Sequence, residues 1–326
     1  MSRWKNAKKW GIRVLIALVV VYLIFIGVVI PYWATNLITH AKTRSFELKV
    51  QDTPEKFNVA FEDITIPAIA DPSQAEKQVP SLSAWYLPND TAKAVIIYTH
   101  GFWRSRQEVL ERACEMTKKG YAGLIIETRR HGRSTGHLTS IGYLERLDVR
   151  GAIHHIKSVM KLKIPVVTYG VSAGAAATLL AAAEDSAADI IIVDSSFLSF
   201  ESMIKHHAGR FFPFWLPTFP IANLVIYGVQ SKIGFSDADF DLRLAAQKIG
   251  NRPILFIAGE ADTRMPVAYA KKLLDASPSE AKELSIIPDA THGAGFRIKP
   301  RLYIETMDSF IQKCLPDANS SAPKAD

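Results

Sequence analysis

One serine in this sequence stands where a serine can become a nucleophile. Ser172 lies at the centre of Gly170-Val171-Ser172-Ala173-Gly174, which follows the apolar run Pro165–Tyr169 and precedes a run of alanines typical of a helix. A strand that turns sharply into a helix at a G-x-S-x-G sequence lifts the serine hydroxyl above the sheet. The helix N-terminus also favours negative charge that develops nearby. The motif therefore predicts a nucleophile, and a glycine-serine turn that only caps a helix is the alternative.

A serine nucleophile needs a general base and an acid that orients this base. His292 follows the last predicted strand, Leu284–Ile287, and Asp262 follows the strand before it, Pro253–Ala258. We predict that His292 takes the proton of Ser172 and that Asp262 holds the imidazole of His292.

Two other carboxylates compete with Asp262 for the role of the acid. Glu260 precedes Asp262 in the same loop, and Asp194 ends the predicted strand Ile190–Val193. Both remain alternatives on the sequence alone.

Acyl transfer also needs two backbone N–H donors for the oxyanion. Ala173 directly follows the nucleophile and should supply one of them. The second should come from the loop after the apolar run Ala94–Tyr98, and we assign it to Phe102. His100, in the same loop, is predicted to shape this loop rather than to act as a second base.

The elements around these residues form a regular pattern from Ala94 onward, where short apolar runs alternate with helix-length segments. Such a pattern predicts an α/β fold with a parallel sheet that is covered on both faces. In these sheets ligands bind at the carboxyl ends of the strands, where the candidate residues stand. The chain before Ala94 predicts three antiparallel strands, Phe46–Val50, Phe57–Ile66 and Leu82–Leu87.

Six motifs in this order resemble the α/β-hydrolase superfamily, and most closely its single-pass, membrane-anchored serine hydrolases. The resemblance covers residues 94–314 and implies the α/β-hydrolase fold, a mostly parallel sheet with helices on both faces. It also implies the chain order Ser…Asp…His of a catalytic triad. Relatives often have Asp-x-Arg-Gly-His-Gly where this chain has Arg130 in place of the glycine, so we expect a changed loop there. The motifs are His100-Gly101-Phe102, Glu127–Ser134, Gly170–Gly174, Asp194–Phe197, Gly259–Asp262 and Thr291-His292-Gly293.

The alternation of strands and helices breaks between residues 196 and 244, where we predict an inserted cap. Its segment Phe211–Pro220 is rich in aromatic residues and prolines. A stiff aromatic roof over Ser172 would form an apolar pocket for an acyl or aromatic group. A cap that only packs on the body and a cap that dips into a bilayer are the alternatives. The predicted pocket residues are Trp103, Phe214 and Trp215.

The N-terminus is basic and then apolar. Residues 1–13 contain five basic and no acidic residues, and Val14–Ile30 contains no charged residue. A helix of this length nearly spans a hydrocarbon core of ~30 Å. We therefore predict a transmembrane signal anchor over residues 14–33; a cleaved signal peptide and a buried core helix are the alternatives. The positive-inside rule predicts a cytoplasmic tail and a body on the extracytoplasmic side of the cell membrane.

The charge of the body argues against nucleic acid as a partner. The net charge is +7, but five of the 39 basic residues lie in the N-terminal tail, which leaves 34 against 32 acidic residues. A polyanion-binding groove needs a basic surface on the folded part. The two cysteines are too few for a disulfide scaffold or a zinc cluster, and we predict no metal and no cofactor.

These observations predict a membrane-anchored serine hydrolase that cleaves carboxylic ester or thioester bonds of lipophilic acyl substrates. Its partners would be a small-molecule or lipid ester and the bilayer around residues 14–33. The hydrolase domain is expected over residues 45–315 and a disordered tail over residues 316–326. A peptidase or amidase of the same fold, and a membrane-tethered binding protein without turnover, are the alternatives.

Overall fold

Eight strands form a single, mostly parallel sheet in the computed structural model, which describes residues 2–70, 78–211 and 218–315. The strand order is β1-β2-β4-β3-β5-β6-β7-β8. Strand β2 runs antiparallel to β1 and to β4, and the other neighbours are parallel. The predicted α/β class is confirmed. The strands are β1 Glu62–Pro67, β2 Ser81–Leu87, β3 Val95–Thr99, β4 Ala122–Ile126, β5 Val166–Val171, β6 Ile190–Asp194, β7 Ile254–Gly259 and β8 Lys282–Ile287.

Helices cover both faces of this sheet. In β3, Ile96 and Tyr98 point to the face covered by α3 and α11, while Val95 and Ile97 point to the opposite face, where α4 packs. This alternation follows from the two-residue period of a strand, and burial on both faces explains why the central strands are continuously apolar. The helices are α1 Ser2–Ile24, α2 Ile30–Thr39, α3 Gln107–Lys118, α4 Arg146–His154, α5 Ala173–Glu184, α6 Phe200–Phe211, α7 Thr218–Ile233, α8 Leu242–Lys248, α9 Val267–Ala276, α10 Gly295–Ile298 and α11 Pro300–Cys314.

The first two predicted strands differ from the structure. Instead of a strand over Phe46–Val50 there is a 3₁₀ turn over Glu47–Lys49. The alternating pattern misled because the polar Glu47 is the buried residue and Phe46 is 50% exposed. The Glu47 carboxylate lies inside because it pairs with the Arg104 guanidinium at 2.5 Å. Strand β1 begins at Glu62, five residues later than predicted, because another 3₁₀ turn precedes it.

A long N-terminal helical stretch precedes the sheet. Helices α1 and α2 are joined by a π-helical turn over Phe25–Val29, and residues 6–39 are apolar enough and long enough to cross a membrane. At 1.5 Å per residue these 34 residues measure about 51 Å, more than a hydrocarbon core of ~30 Å. The large side chains of α1 are exposed, whereas Ile26 of the π-helical turn and Ile30, Ala34 and Ile38 of α2 pack against the body.

The end of α2 is fixed to the body by specific contacts. A Cβ atom on Gly228 of α7 would lie 2.5 Å from Thr35 Oγ1, so the two helices touch closely at this glycine. Lys232 Nζ donates to Asn36 Oδ1 at 2.8 Å, and the Thr139 N–H donates to the Thr39 carbonyl at 3.0 Å. Residues 34–44, which lie between the predicted anchor and the predicted hydrolase domain, thus contact the body.

Helices α6 and α7 lie within the predicted cap, residues 196–244, whereas α8 begins at Leu242 and extends past its end. Helix α6 packs against α7, which also packs against α2, while α8 packs against α5 and α9 of the body. The predicted pocket residues Phe214 and Trp215 lie outside the described residues.

Candidate active site

Ser172 occupies a sharp turn between β5 and α5. Its backbone has φ 55° and ψ −112°, a region that costs a non-glycine residue on the order of 1–3 kcal/mol. A Cβ atom on Gly170 would lie 2.1 Å from the Gly174 carbonyl oxygen, and one on Gly174 would lie 2.3 Å from the Thr99 carbonyl oxygen. Both glycines are therefore required by the close approach of the backbone, and the turn projects Ser172 at the carboxyl edge of the sheet.

The three predicted triad residues meet in one chain of hydrogen bonds. Ser172 Oγ lies 2.9 Å from His292 Nε2, and His292 Nδ1 lies 2.8 Å from Asp262 Oδ2. The buried Asp262 carboxylate also accepts the N–H groups of Arg264 and Met265, at 2.9 and 2.8 Å. These bonds fix the carboxylate, which in turn favours a proton on Nδ1 and leaves Nε2 of His292 to accept from the serine. The arrangement has the geometry of nucleophile, base and acid.

The two alternative carboxylates, Asp194 and Glu260, bind groups other than the imidazole. Asp194 accepts the hydroxyl protons of Tyr303 at 2.6 Å and Ser195 at 2.8 Å, and it lies 3.7 Å from the Arg112 guanidinium. Burial raises the pKa of Asp194, and Arg112 opposes this shift. Glu260 is exposed and accepts the N–H of Asp289 at 3.3 Å. In the described part of the chain, neither carboxylate hydrogen-bonds to the imidazole.

The loop after β3 lies beside the nucleophile. A Cβ atom on Gly101 would stand 3.5 Å from the Ser172 Cβ. The N–H of Gly101 donates to Glu108 Oε2 at 2.6 Å, and that of Trp103 donates to His131 Nε2 at 3.3 Å. Between them, the N–H of Phe102 has no hydrogen-bond acceptor within residues 2–70, 78–211 and 218–315. Phe102 and Ser172 line the same cavity, and the oxyanion roles of Phe102 and Ala173 remain predictions.

Two buried histidines hold this loop in shape. His100 Nδ1 donates to the Gly101 carbonyl at 2.8 Å, and its Nε2 accepts the Thr128 N–H at 3.2 Å. Burial lowers the pKa of His100 to about 3, with a further contribution from the neighbouring His131. A permanently neutral imidazole with both nitrogens engaged fits the predicted structural role of His100.

Arg130 has a backbone φ of 61°. This left-handed conformation is the one that glycine adopts without strain. The arginine side chain ties the loop to the chain after α2: its guanidinium donates to the carbonyl oxygens of His137 at 2.7 Å and His40 at 3.2 Å. Arg130 thus links this loop to residues 40–41, and a change relative to related sequences remains a prediction.

An apolar compartment opens at Ser172 between α2, α6 and α7. This cavity has a volume of about 320 Å³. On α2 the lining residues are Trp33, Ala34, Leu37 and Ile38, spaced as i, i+1, i+4 and i+5, so a single face of that helix forms the wall. Sequence analysis missed this wall, because nothing in the local sequence distinguishes it from the rest of the apolar helix. The lining includes Ala34, Leu37, Ile38, Met203, Ile204 and Val225, together with Phe102, Trp103, His207 and Arg264.

A second, basic compartment of about 260 Å³ also opens at Ser172, and it shares Phe102, Trp103, Ser172 and Arg264 with the apolar one. Four arginines line it, together with the Glu108 carboxylate and the imidazole of His292. These arginines come from four separate loops or short elements, so their proximity has no signature in the sequence. They are Arg44, Arg104, Arg264 and Arg297. Within the described ranges, no three His, Cys, Asp or Glu side chains are grouped so that they could hold a metal ion.

Comparisons with known proteins agree with this architecture. Residues 90–233 match the family model described as serine aminopeptidase, S33, a range that contains Ser172 but ends before Asp262 and His292. The chain is 25% identical over 226 residues to the protein YqkD of Bacillus subtilis, covering 69% of this chain and 72% of YqkD. It is 23% identical over 272 residues to the membrane protein YNL320W of Saccharomyces cerevisiae, covering 81% of each.

A solved structure shares the fold over most of the chain. The esterase Pf2001 of Pyrococcus furiosus superposes with a TM-score of 0.66 and 19% sequence identity, covering 82% of this chain and 97% of the esterase. At this identity the likeness establishes the α/β-hydrolase fold.

Proposed function

We propose that this chain, which has the α/β-hydrolase fold, is a membrane-anchored serine hydrolase that cleaves ester or thioester bonds of lipophilic acyl substrates. The observation that carries this proposal is the hydrogen-bonded chain of Ser172, His292 and Asp262 at the mouth of an apolar cavity. An esterase among the structures that share its fold supports an ester as the substrate.

The proposed reaction begins with attack of Ser172 Oγ on the acyl carbon while His292 Nε2 takes the hydroxyl proton. Asp262 stabilises the resulting imidazolium, and the N–H groups of Phe102 and Ala173 bind the oxyanion. Collapse of the tetrahedral intermediate breaks the bond to the alcohol or thiol, which receives the proton from His292. Water then attacks the acyl-enzyme with His292 again as the base, which releases the acid and restores Ser172.

The apolar compartment supports a lipophilic acyl group. Aliphatic side chains of α2, α6 and α7 line it, and each methylene that leaves water contributes about 0.8 kcal/mol to binding. Met203, Ile204 and Val225 of the predicted cap, over about residues 196–244, line this compartment, and we propose that the cap forms part of an acyl pocket. Trp103 also lines the compartment, and we propose it as a pocket residue.

The N-terminal helical stretch supports membrane anchoring, as does the likeness to a yeast membrane protein. We propose residues 14–33 as the membrane span, with residues 1–13 in the cytoplasm and the hydrolase body on the extracytoplasmic side. The five basic residues before the span support this orientation.

Covalent labelling tests the catalytic part of this proposal. A fluorophosphonate probe should label the full chain in detergent micelles, and Ser172→Ala should lose the label and lower ester hydrolysis by several orders of magnitude. Substantial turnover by this variant would exclude Ser172 as the nucleophile. An unlabelled wild-type chain without turnover would favour a binding protein that keeps the fold.

A peptidase is the second candidate, because the matching family model is described as a serine aminopeptidase. p-Nitrophenyl esters of graded chain length should be compared with aminoacyl anilides. We expect kcat/KM to rise with acyl length and to exceed that for the anilides. The reverse order would favour the peptidase.

A further inference from the structure

The two compartments meet at Ser172 and differ in what they present to a substrate. An ester whose carbonyl carbon lies at Ser172 Oγ extends one part into each of them. His292 lines the basic compartment and is absent from the lining of the apolar one. Because the imidazole must hand its proton to the leaving oxygen, the alcohol portion belongs on the side of His292. The acyl chain then occupies the apolar compartment and the alcohol portion the basic one.

The basic compartment keeps an excess of positive charge. Arg104 is neutralised by two carboxylates, since its guanidinium lies 2.5 Å from Glu47 and 3.0 Å from Glu108. Among the described residues, Arg44 and Arg297 form no ion pair within 4.0 Å, and both are exposed to solvent in the compartment. The Arg44 guanidinium also stacks on the Trp103 ring, 4.7 Å from its centre, and both residues line the compartment. Two cationic groups are thus presented to whatever fills this space.

We propose that the substrate is an acidic lipid ester whose alcohol portion carries a phosphate or carboxylate, and that Arg44 and Arg297 bind this anion. Guanidinium groups suit such anions because their planar N–H donors match two oxygens at once. This inference rests on the proposed ester hydrolase function and specifies the substrate of the same site. The position of the apolar compartment against α2, the end of the helical stretch proposed to cross the bilayer, fits an amphiphile that carries its charge at the polar end.

A matched pair of substrates tests this inference. The full chain in detergent micelles should be given 1-oleoylglycerol 3-phosphate and 1-oleoylglycerol, which differ only by the phosphate. We expect a higher kcat/KM for cleavage of the oleoyl ester in the phosphate-bearing substrate, with this preference decreasing as salt is added. Arg44→Gln and Arg297→Gln should each reduce this preference about tenfold, mainly through KM, and Arg44→Lys should restore part of it. Arg301→Gln, which alters an exposed arginine on α11, should leave the preference unchanged.

The outcomes separate this inference from the proposed function. Equal loss on both esters in the Arg44 and Arg297 variants, or a wild-type preference for the uncharged ester, would overturn the anion site while leaving the hydrolase intact. Inhibition by inorganic phosphate without any preference for the phosphate ester would also overturn it, because the cleft would then bind a free anion only. If the wild-type chain showed neither fluorophosphonate labelling nor turnover on either ester, the proposed function itself would be refuted.

Discussion

Leu37 offers a direct test of whether the end of α2 is a wall of the acyl site. Its side chain is 41% exposed and lines the apolar compartment, so a bound acyl chain would cover it. Leu37→Ala removes three carbon atoms, worth about 2.4 kcal/mol if all three were buried, at about 0.8 kcal/mol each. A chain lying on one side buries roughly half of this, and a loss of about 1.2 kcal/mol corresponds to a seven- to eightfold lower kcat/KM.

The assay is a series of p-nitrophenyl esters from acetyl to dodecanoyl, hydrolysed by the full chain in detergent micelles. We expect the loss in Leu37→Ala only for chains long enough to reach α2, with acetyl esters nearly unaffected. Leu302→Ala is the matched control, because Leu302 is 42% exposed on α11 and lines neither compartment. An equal loss for every chain length, or the same loss in the control, would show that α2 does not contact the acyl chain.

Two further predictions concern the acid and the loop after β3. Asp262→Asn should fold and lower kcat by roughly 10⁴ through the wrong imidazole tautomer. Asp194→Asn should chiefly destabilise the fold, because it breaks a buried network with Arg112 and Tyr303. Enzyme kinetics and urea unfolding of both variants test these expectations, and an unaltered kcat in Asp262→Asn would refute the assignment of Asp262 as the acid. His100 stays neutral in the folded protein but is protonated below its ordinary pKa of 6.5 in the unfolded chain, so the free energy of unfolding should fall as pH drops from about 6 to about 4. His100→Asn should reduce the slope of this free energy against pH by about 1.4 kcal/mol per pH unit. Identical slopes in the wild type and the variant would argue against a buried neutral imidazole.

The order and type of the central elements could be predicted from the sequence because their causes are local. Strands buried on both faces are continuously apolar, and helices are long enough to separate them. The turn at Ser172 depends on Gly170 and Gly174, which are its near neighbours in the chain. Parallel strands also bring their carboxyl ends to one edge of the sheet, which predicts that Ser172, Asp262 and His292 meet there.

Tertiary structure decided the points that depend on distant parts of the chain. Asp262 hydrogen-bonds to the imidazole of His292. Asp194 instead binds Tyr303 and Arg112, which come from distant elements of the chain. Glu47 is buried because it pairs with Arg104, which lies 57 residues further along the chain. No local periodicity records such a partner.

The apolar and the basic compartment are likewise formed by residues that are distant in the sequence. The apolar wall on α2 exists only because α7 packs against that helix, and the close contact at Gly228 lies 193 residues from Thr35. The four arginines of the basic compartment are spread from residue 44 to residue 297. Hydrophobic period and turn residues specify elements, since both act over a few residues, whereas a cavity is specified by side chains that meet only when those elements have packed.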